Sequence, residues 1–237
     1  AVISLVIWSR LVYDYSLIPS FTDVIRRAWD VPLKKYFGFS FWIAMDRNIA
    51  NLYLALPLIL TGLFVIPTEV TYFKLAFGYI NLGLSLLGPI STILNVEFPK
   101  THVEDKSKLS SHFTKISLYS LGISAILTLG LVILSPFMFR ILYGELFLPS
   151  IQYTVGLFVY GAFFGIGVGL GPMWRAINKV KVSIIINLIT LVIGVPLGLL
   201  LIREMGLWGS VWMVTLWFSA SHLTSFLYLK NYLKKRV

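Results

Sequence analysis

The sequence predicts an all-α integral membrane protein, a six-helix bundle with a truncated helix and an interfacial amphipathic connector before it. Three observations predict it. Of 237 residues, 57% are hydrophobic and 13% charged, against roughly 25% charged residues in an average globular domain. Mean hydropathy is +0.84, and several apolar stretches exceed the roughly 18 residues that cross a bilayer as a helix. The basic residues alternate along the chain, crowding every second loop.

That alternation sets the orientation. Segment 1–47 carries Arg10, Arg26, Arg27, Lys34, Lys35 and Arg47. Loop 97–115 carries Lys100, Lys106, Lys108 and Lys115, and loop 175–181 carries Arg175, Lys179 and Lys181. The C-terminus adds Lys230, Lys234, Lys235 and Arg236, whereas the intervening loops hold only Arg140 and Arg203. Lys and Arg accumulate in cytoplasmic loops, so both ends of the six-helix unit are expected in the cytoplasm. Five or seven spans would scramble the pattern. A net charge of +10 is thereby accounted for by membrane orientation, and a nucleic-acid partner is disfavoured. The chain has no cysteine, which excludes disulfides and thiolate metal sites.

Taken in order, residues 1–18 read as the end of a span cut short, with Arg10 and Asp14 spaced to pair on one helix face. The sequence begins with Ala and an apolar run, as expected of a fragment lacking its N-terminal part. Residues 19–37 read as an amphipathic connector. Ser20 and Asp23 resemble a capping box; Phe21, Val24, Ile25, Ala28 and Trp29 recur at helical spacing opposite basic residues. Such a segment is expected in the interface against anionic headgroups; a solvated linker helix is the alternative reading.

Residues 38–237 form the six-helix lobe. The first span ends at Ile66, before Pro67, and Pro57 predicts a kink because it removes a backbone donor. Its start is open. Either Asp46 and Arg47 mark the inner water boundary, or the helix begins near Gly38 and they face a cavity. The second span is 70–96, interrupted at Gly88-Pro89. The third is 113–139 and the fourth 147–174. The fifth is 180–202, containing Gly194, Pro196 and Gly198, and the sixth is 207–229. Trp208 and Trp212 at one interface and Trp174 at the other fit aromatic belts.

Lys74 is the sharpest candidate for chemistry. A cation on an apolar span faces a cavity or pairs within the protein, where it would meet an anionic substrate group; alternatively its ammonium snorkels to the outer interface. The run GIGVGLGP, residues 165–172, places glycines at every second position, which is no single-faced seam. It suits either a bending gate or close packing. Asn81, Asn95, Glu97, Gln152, Asn187 and His222 are polar positions on apolar spans, expected mostly to bond between helices. No catalytic constellation, metal cluster or cofactor motif is visible, and the chain is not expected to be an enzyme.

The stretch IPTEVTYFKLAFGYI resembles the polysaccharide exporters and lipid-linked oligosaccharide flippases of the multidrug/oligosaccharidyl-lipid/polysaccharide superfamily. Tyr72, Phe73 and Ala76 match their aromatic span start, and LPLILTGLFVIP and STILNVEFPK fit the same pattern. The resemblance runs from about residue 36 onward. It implies the C-terminal lobe of a transporter of twelve or more helices, working by alternating access with an N-terminal lobe absent from this sequence. The implied cargo is a lipid-linked oligosaccharide repeat unit on a polyprenyl phosphate or pyrophosphate, flipped across the cytoplasmic membrane. Lys74, Arg47 and Arg175 are then the candidate cavity cations for the anionic headgroup. Two other readings stand beside it. A cation-coupled multidrug or metabolite antiporter of the same superfamily would need a membrane-buried acid, and a non-transporting membrane scaffold would need none.

Overall fold

A computed structural model describes residues 33–104 and 106–235. The readings for 1–18 and most of 19–37 lie outside these residues. The chain divides into two compact units, Ala1–Phe41 and Trp42–Val237. In the first, the Phe37 and Phe41 rings stack at 6.4 Å. The second unit contains the helical bundle.

The described residues are helical apart from short turns, with no strand among them. The helices are α1 (Leu33–Thr61), α2 (Pro67–Leu84), α3 (Gly88–Glu104), α4 (Lys106–Leu142), α5 (Ser150–Gly156), α6 (Phe158–Ala176), α7 (Val180–Met205) and α8 (Leu207–Lys234). Short 3₁₀ turns, Ser85–Leu87 and Glu145–Phe147, separate α2 from α3 and α4 from α5.

Among the described residues, four segments are long and apolar enough to cross a membrane: Ser40–Thr61, Pro67–Glu104, Lys108–Leu142 and Val180–Met205. The pair α5 and α6, bent by 49°, makes a fifth if counted as one span. The expected sixth, α8, is a 28-residue helix that falls outside this set. Its Trp, Ser, Thr and His content lowers its hydropathy, and thirteen of its residues are buried against the other helices. A helix enclosed by protein can carry polar side chains that a lipid-facing one cannot.

Several boundaries shift for local reasons. The helix α1 begins at Leu33 and runs through Asp46 and Arg47, so both belong to the helix. It stops at Thr61, whose hydroxyl bonds back to the Pro57 carbonyl at 2.6 Å. A turn at Gly62–Phe64 then leads to Pro67, at the start of α2. There its missing N–H costs no helical bond. The 3₁₀ turn at Ser85–Leu87 sits one turn before Pro89, which has no N–H for the Ser85 carbonyl; Gly88 N–H bonds that carbonyl instead.

The glycine run of α6 packs on two faces. Residues two apart on a helix point about 200° apart, from the 3.6-residue turn. Gly161, Gly165 and Gly169 therefore share one face and meet a stripe of small polar residues on α4. A Cβ on Gly165 would lie 2.2 Å from the Ser120 carbonyl oxygen, and one on Gly161 would lie 2.5 Å from Thr128. Ser124 Oγ donates to the Gly161 carbonyl at 2.6 Å across this seam. The run is thus a close-packed seam that begins upstream of residue 165. The bend lies at Leu157 instead. Gly167 and Gly171 face the other way.

Candidate functional site

The opposite face of α6 helps enclose a polar cavity of about 170 Å³. Each wall follows from helical spacing. On α1, Asp46, Ala50 and Tyr53 lie on one face. On α7, Ser183 and Asn187 are four apart, and on α8 Phe218, Ser221, His222 and Ser225 cover one side. Gly167, Leu170, Gly171 and Trp174 of α6 close it.

A directed chain of hydrogen bonds links α8, α7 and α1. Ser221 Oγ donates to Asn187 Oδ1 at 2.5 Å. Asn187 Nδ2 donates to Ser183 Oγ at 3.4 Å, and Ser183 Oγ donates to Asp46 Oδ1 at 2.9 Å. Every donor points toward the carboxylate, so the dipoles favour a negative charge there. Tyr53 hydroxyl donates to the Asn187 carbonyl at 2.9 Å. Its ring meets Trp217 and Phe218 edge-on at 6.1 and 5.4 Å, which fixes α1 against α8.

His222 is held by a contact of 3.3 Å between Nδ1 and the Phe163 carbonyl and by edge-on packing with Phe218 at 5.7 Å. The space for its ring exists because residue 167 is glycine: a Cβ there would lie 2.7 Å from Cε1.

The three cations implied by the resemblance fall in different places, and the cavity lining includes none of them. Lys74 is exposed on α2 and Arg47 is exposed on α1. Arg175 is also exposed, one turn beyond Gly171, where Nη1 donates to Asn95 Oδ1 at 2.7 Å. Asn95 is itself anchored by its Nδ2 on the Ser91 carbonyl at 2.9 Å.

The donor set is one carboxylate among hydroxyl and amide oxygens. Hard oxygen donors suit hard cations, and a single carboxylate balances a single positive charge. No group of three or more His, Cys, Asp or Glu suited to a metal ion occurs among the described residues.

Sequence reasoning left Asp46 undecided and did not single out Ser183 or Ser221. The available signal was periodic: Ser183/Asn187 and Ser221/Ser225 each place two polar groups on one face of an apolar helix. Asn187 and His222 do bond between helices, as expected, and both also line the cavity. A second recess lies between α7 and α8. It is apolar, measures about 410 Å³ and is lined by Ile189, Ile193, Leu197, Leu216 and Trp217 among others.

Comparison with protein-family models, characterised proteins and solved structures gives no match.

Proposed function

We propose that the chain is a six-helix lobe of an alternating-access transporter that flips a lipid-linked oligosaccharide across the cytoplasmic membrane. Six rods are counted by taking α2 with α3 and α5 with α6 as single spans and the partly buried α8 as the sixth. The observation that carries the transport reading is the polar cavity inside an apolar bundle, with Asp46 in its wall. Ionisable groups in membrane helices mark substrate or ion pathways, and Asp46 is half-buried in this wall. The oligosaccharide cargo rests on the resemblance at IPTEVTYFKLAFGYI and on Arg175 near the cavity, a cation suited to phosphate. A cavity of about 170 Å³ is too small for an oligosaccharide, so the sugar would travel in the larger space between this lobe and an N-terminal one. Lys74 and Arg47 are assigned to that space.

The second reading, a cation-coupled antiporter, is favoured specifically by Asp46. It is the membrane-embedded acid that such a transporter requires.

Complementation separates the two. The full-length gene is placed in a flippase-deficient strain and surface polysaccharide is scored. Restored polysaccharide, lost again in Arg175→Ala, supports the flippase. Failure to restore it, together with sodium-driven efflux of a cationic dye that depends on Asp46, moves the assignment to the antiporter. Lys74→Ala with undiminished export would return Lys74 to a snorkelling residue.

A further inference from the structure

We propose that the apolar recess between α7 and α8 is a groove for the polyprenyl tail of the lipid carrier, held across the bilayer midplane. The proposal deepens the flippase reading and rests on it for the identity of the cargo.

The recess measures about 410 Å³ and shares no lining residue with the Asp46 cavity. Along α7 its lining runs from Ile186 to Leu197, about 16 Å at 1.5 Å per residue. The midpoint of that run lies about one residue from the middle of the Val180–Met205 helix. Each leaflet contributes about 15 Å of hydrocarbon, half of the roughly 30 Å core. With α7 centred in the bilayer, the recess straddles the midplane and reaches about 8 Å into each leaflet.

That position selects the occupant. A phospholipid is rooted at one surface and its chains end near the midplane, so it covers only half of such a groove. A polyprenyl chain is longer than a leaflet is deep and fills the groove from end to end. Because the groove is centred, a tail rooted in either leaflet reaches it, which suits a cargo whose headgroup changes sides. Ile189, Ile193 and Leu216 are exposed in the lining and present apolar surface to the chain.

The wall also holds one unused polar group. Trp217 is 2% exposed, and its Nε1 has no hydrogen-bond partner among the described residues. The nitrogen-bearing edge of its ring lies on Gly194, where an added Cβ would be 2.5 Å from Nε1. Both residues line the recess. The hydroxyl of Thr190, also in the lining, is already committed to the Ile186 carbonyl at 2.9 Å. A buried donor without an acceptor is uncommon and calls for a physical reason. Saturated acyl chains offer it nothing. An isoprenoid carries a C=C π face in every repeat unit, which accepts a weak N–H···π contact.

The test is photo-crosslinking of the full-length protein in nanodiscs of dimyristoyl phosphatidylcholine doped with undecaprenyl phosphate. p-Benzoylphenylalanine replaces Ile193 in the groove or, as a control, Ile126, an exposed residue of α4. Mass spectrometry gives the ratio of polyprenyl to phospholipid adducts at each position. That ratio should be roughly tenfold higher at 193 than at 126, a preference of about 1.4 kcal/mol. Ala220→Phe, which adds bulk at an exposed residue of the groove, should abolish the enrichment. Trp217→Phe keeps a ring and removes the N–H, and should lower the enrichment about two- to fivefold, the size of one weak contact. Equal ratios at 193 and 126 overturn the groove, as do enrichment that survives Ala220→Phe and adducts at 193 to an N-terminal lobe. Export in the flippase-deficient strain separates this from the parent reading. Restored export with equal ratios leaves the flippase standing without the groove, whereas enrichment without export keeps the groove in a protein that does not flip.

Discussion

The two faces of α6 use the same residue for opposite ends. On one face Gly161 and Gly165 bring α6 against α4 so closely that a methyl group would strike a backbone carbonyl or a threonine. On the other, Gly167 leaves room for the His222 ring beside a polar cavity. One glycine run therefore both fixes the helix and hollows out a site. What decides a glycine's role is the neighbour its missing side chain would meet.

That contrast orders a substitution series. The largest effect is expected at Gly165→Ala. The atom in the way is the Ser120 backbone carbonyl, which moves only if two helices separate, and overpacking costs up to about 3 kcal/mol when the backbone must shift. Thermal unfolding in detergent, followed by circular dichroism, should show it as the least stable of the set. Gly161→Ala should cost about 1–2 kcal/mol, since the obstacle is the Thr128 side chain, and Thr128→Ala in the same chain should recover most of it.

On the cavity face, Gly167→Ala pushes only the end of the His222 side chain. Its stability loss should be about 1 kcal/mol, and its signature is a change in cation binding. Equal loss at Gly165→Ala and Gly167→Ala would erase the distinction between the faces. The smallest effect belongs to Gly169→Ala, where the nearest atom, Ser117 Oγ, lies at an ordinary 3.7 Å. Better helix propensity there offers a gain of about 0.5–1 kcal/mol, read in the same unfolding assay.

A separate substitution probes the polar chain. Asn187→Leu strips Ser221 of its acceptor and Ser183 of its donor at buried positions. Each orphaned group costs about 1–3 kcal/mol, so this variant should unfold well below Ser225→Ala, which lines the cavity outside the chain of bonds.

The helical class was legible because long apolar runs leave few alternatives, and so was the start of α7 at Val180; α4 instead runs past the charges expected to flank it, from Lys106 to Leu142. The bend at Leu157 was not, because no proline or glycine pair marks it and the conspicuous glycines lie elsewhere. Reading residues 165–172 alone hid the four-residue spacing that starts at Gly161. The expected sixth span, α8, falls outside the set of membrane-length apolar helices because its Trp, Ser, Thr and His residues lower a hydropathy average. Asp46 was undecidable because a charge at the edge of an apolar run looks the same whether it meets water or a cavity. Only the partners on α7, far away in sequence, settle where it points.

The joint at Leu157 divides the rod by its main neighbour. Before it, α5 packs chiefly on α2, with α4 and α8 beside it and the Tyr153 and Trp208 rings 5.6 Å apart; after it, α6 rests chiefly on α4, with α3 and α8 beside it. A push on α2 therefore reaches the short segment before the bend first.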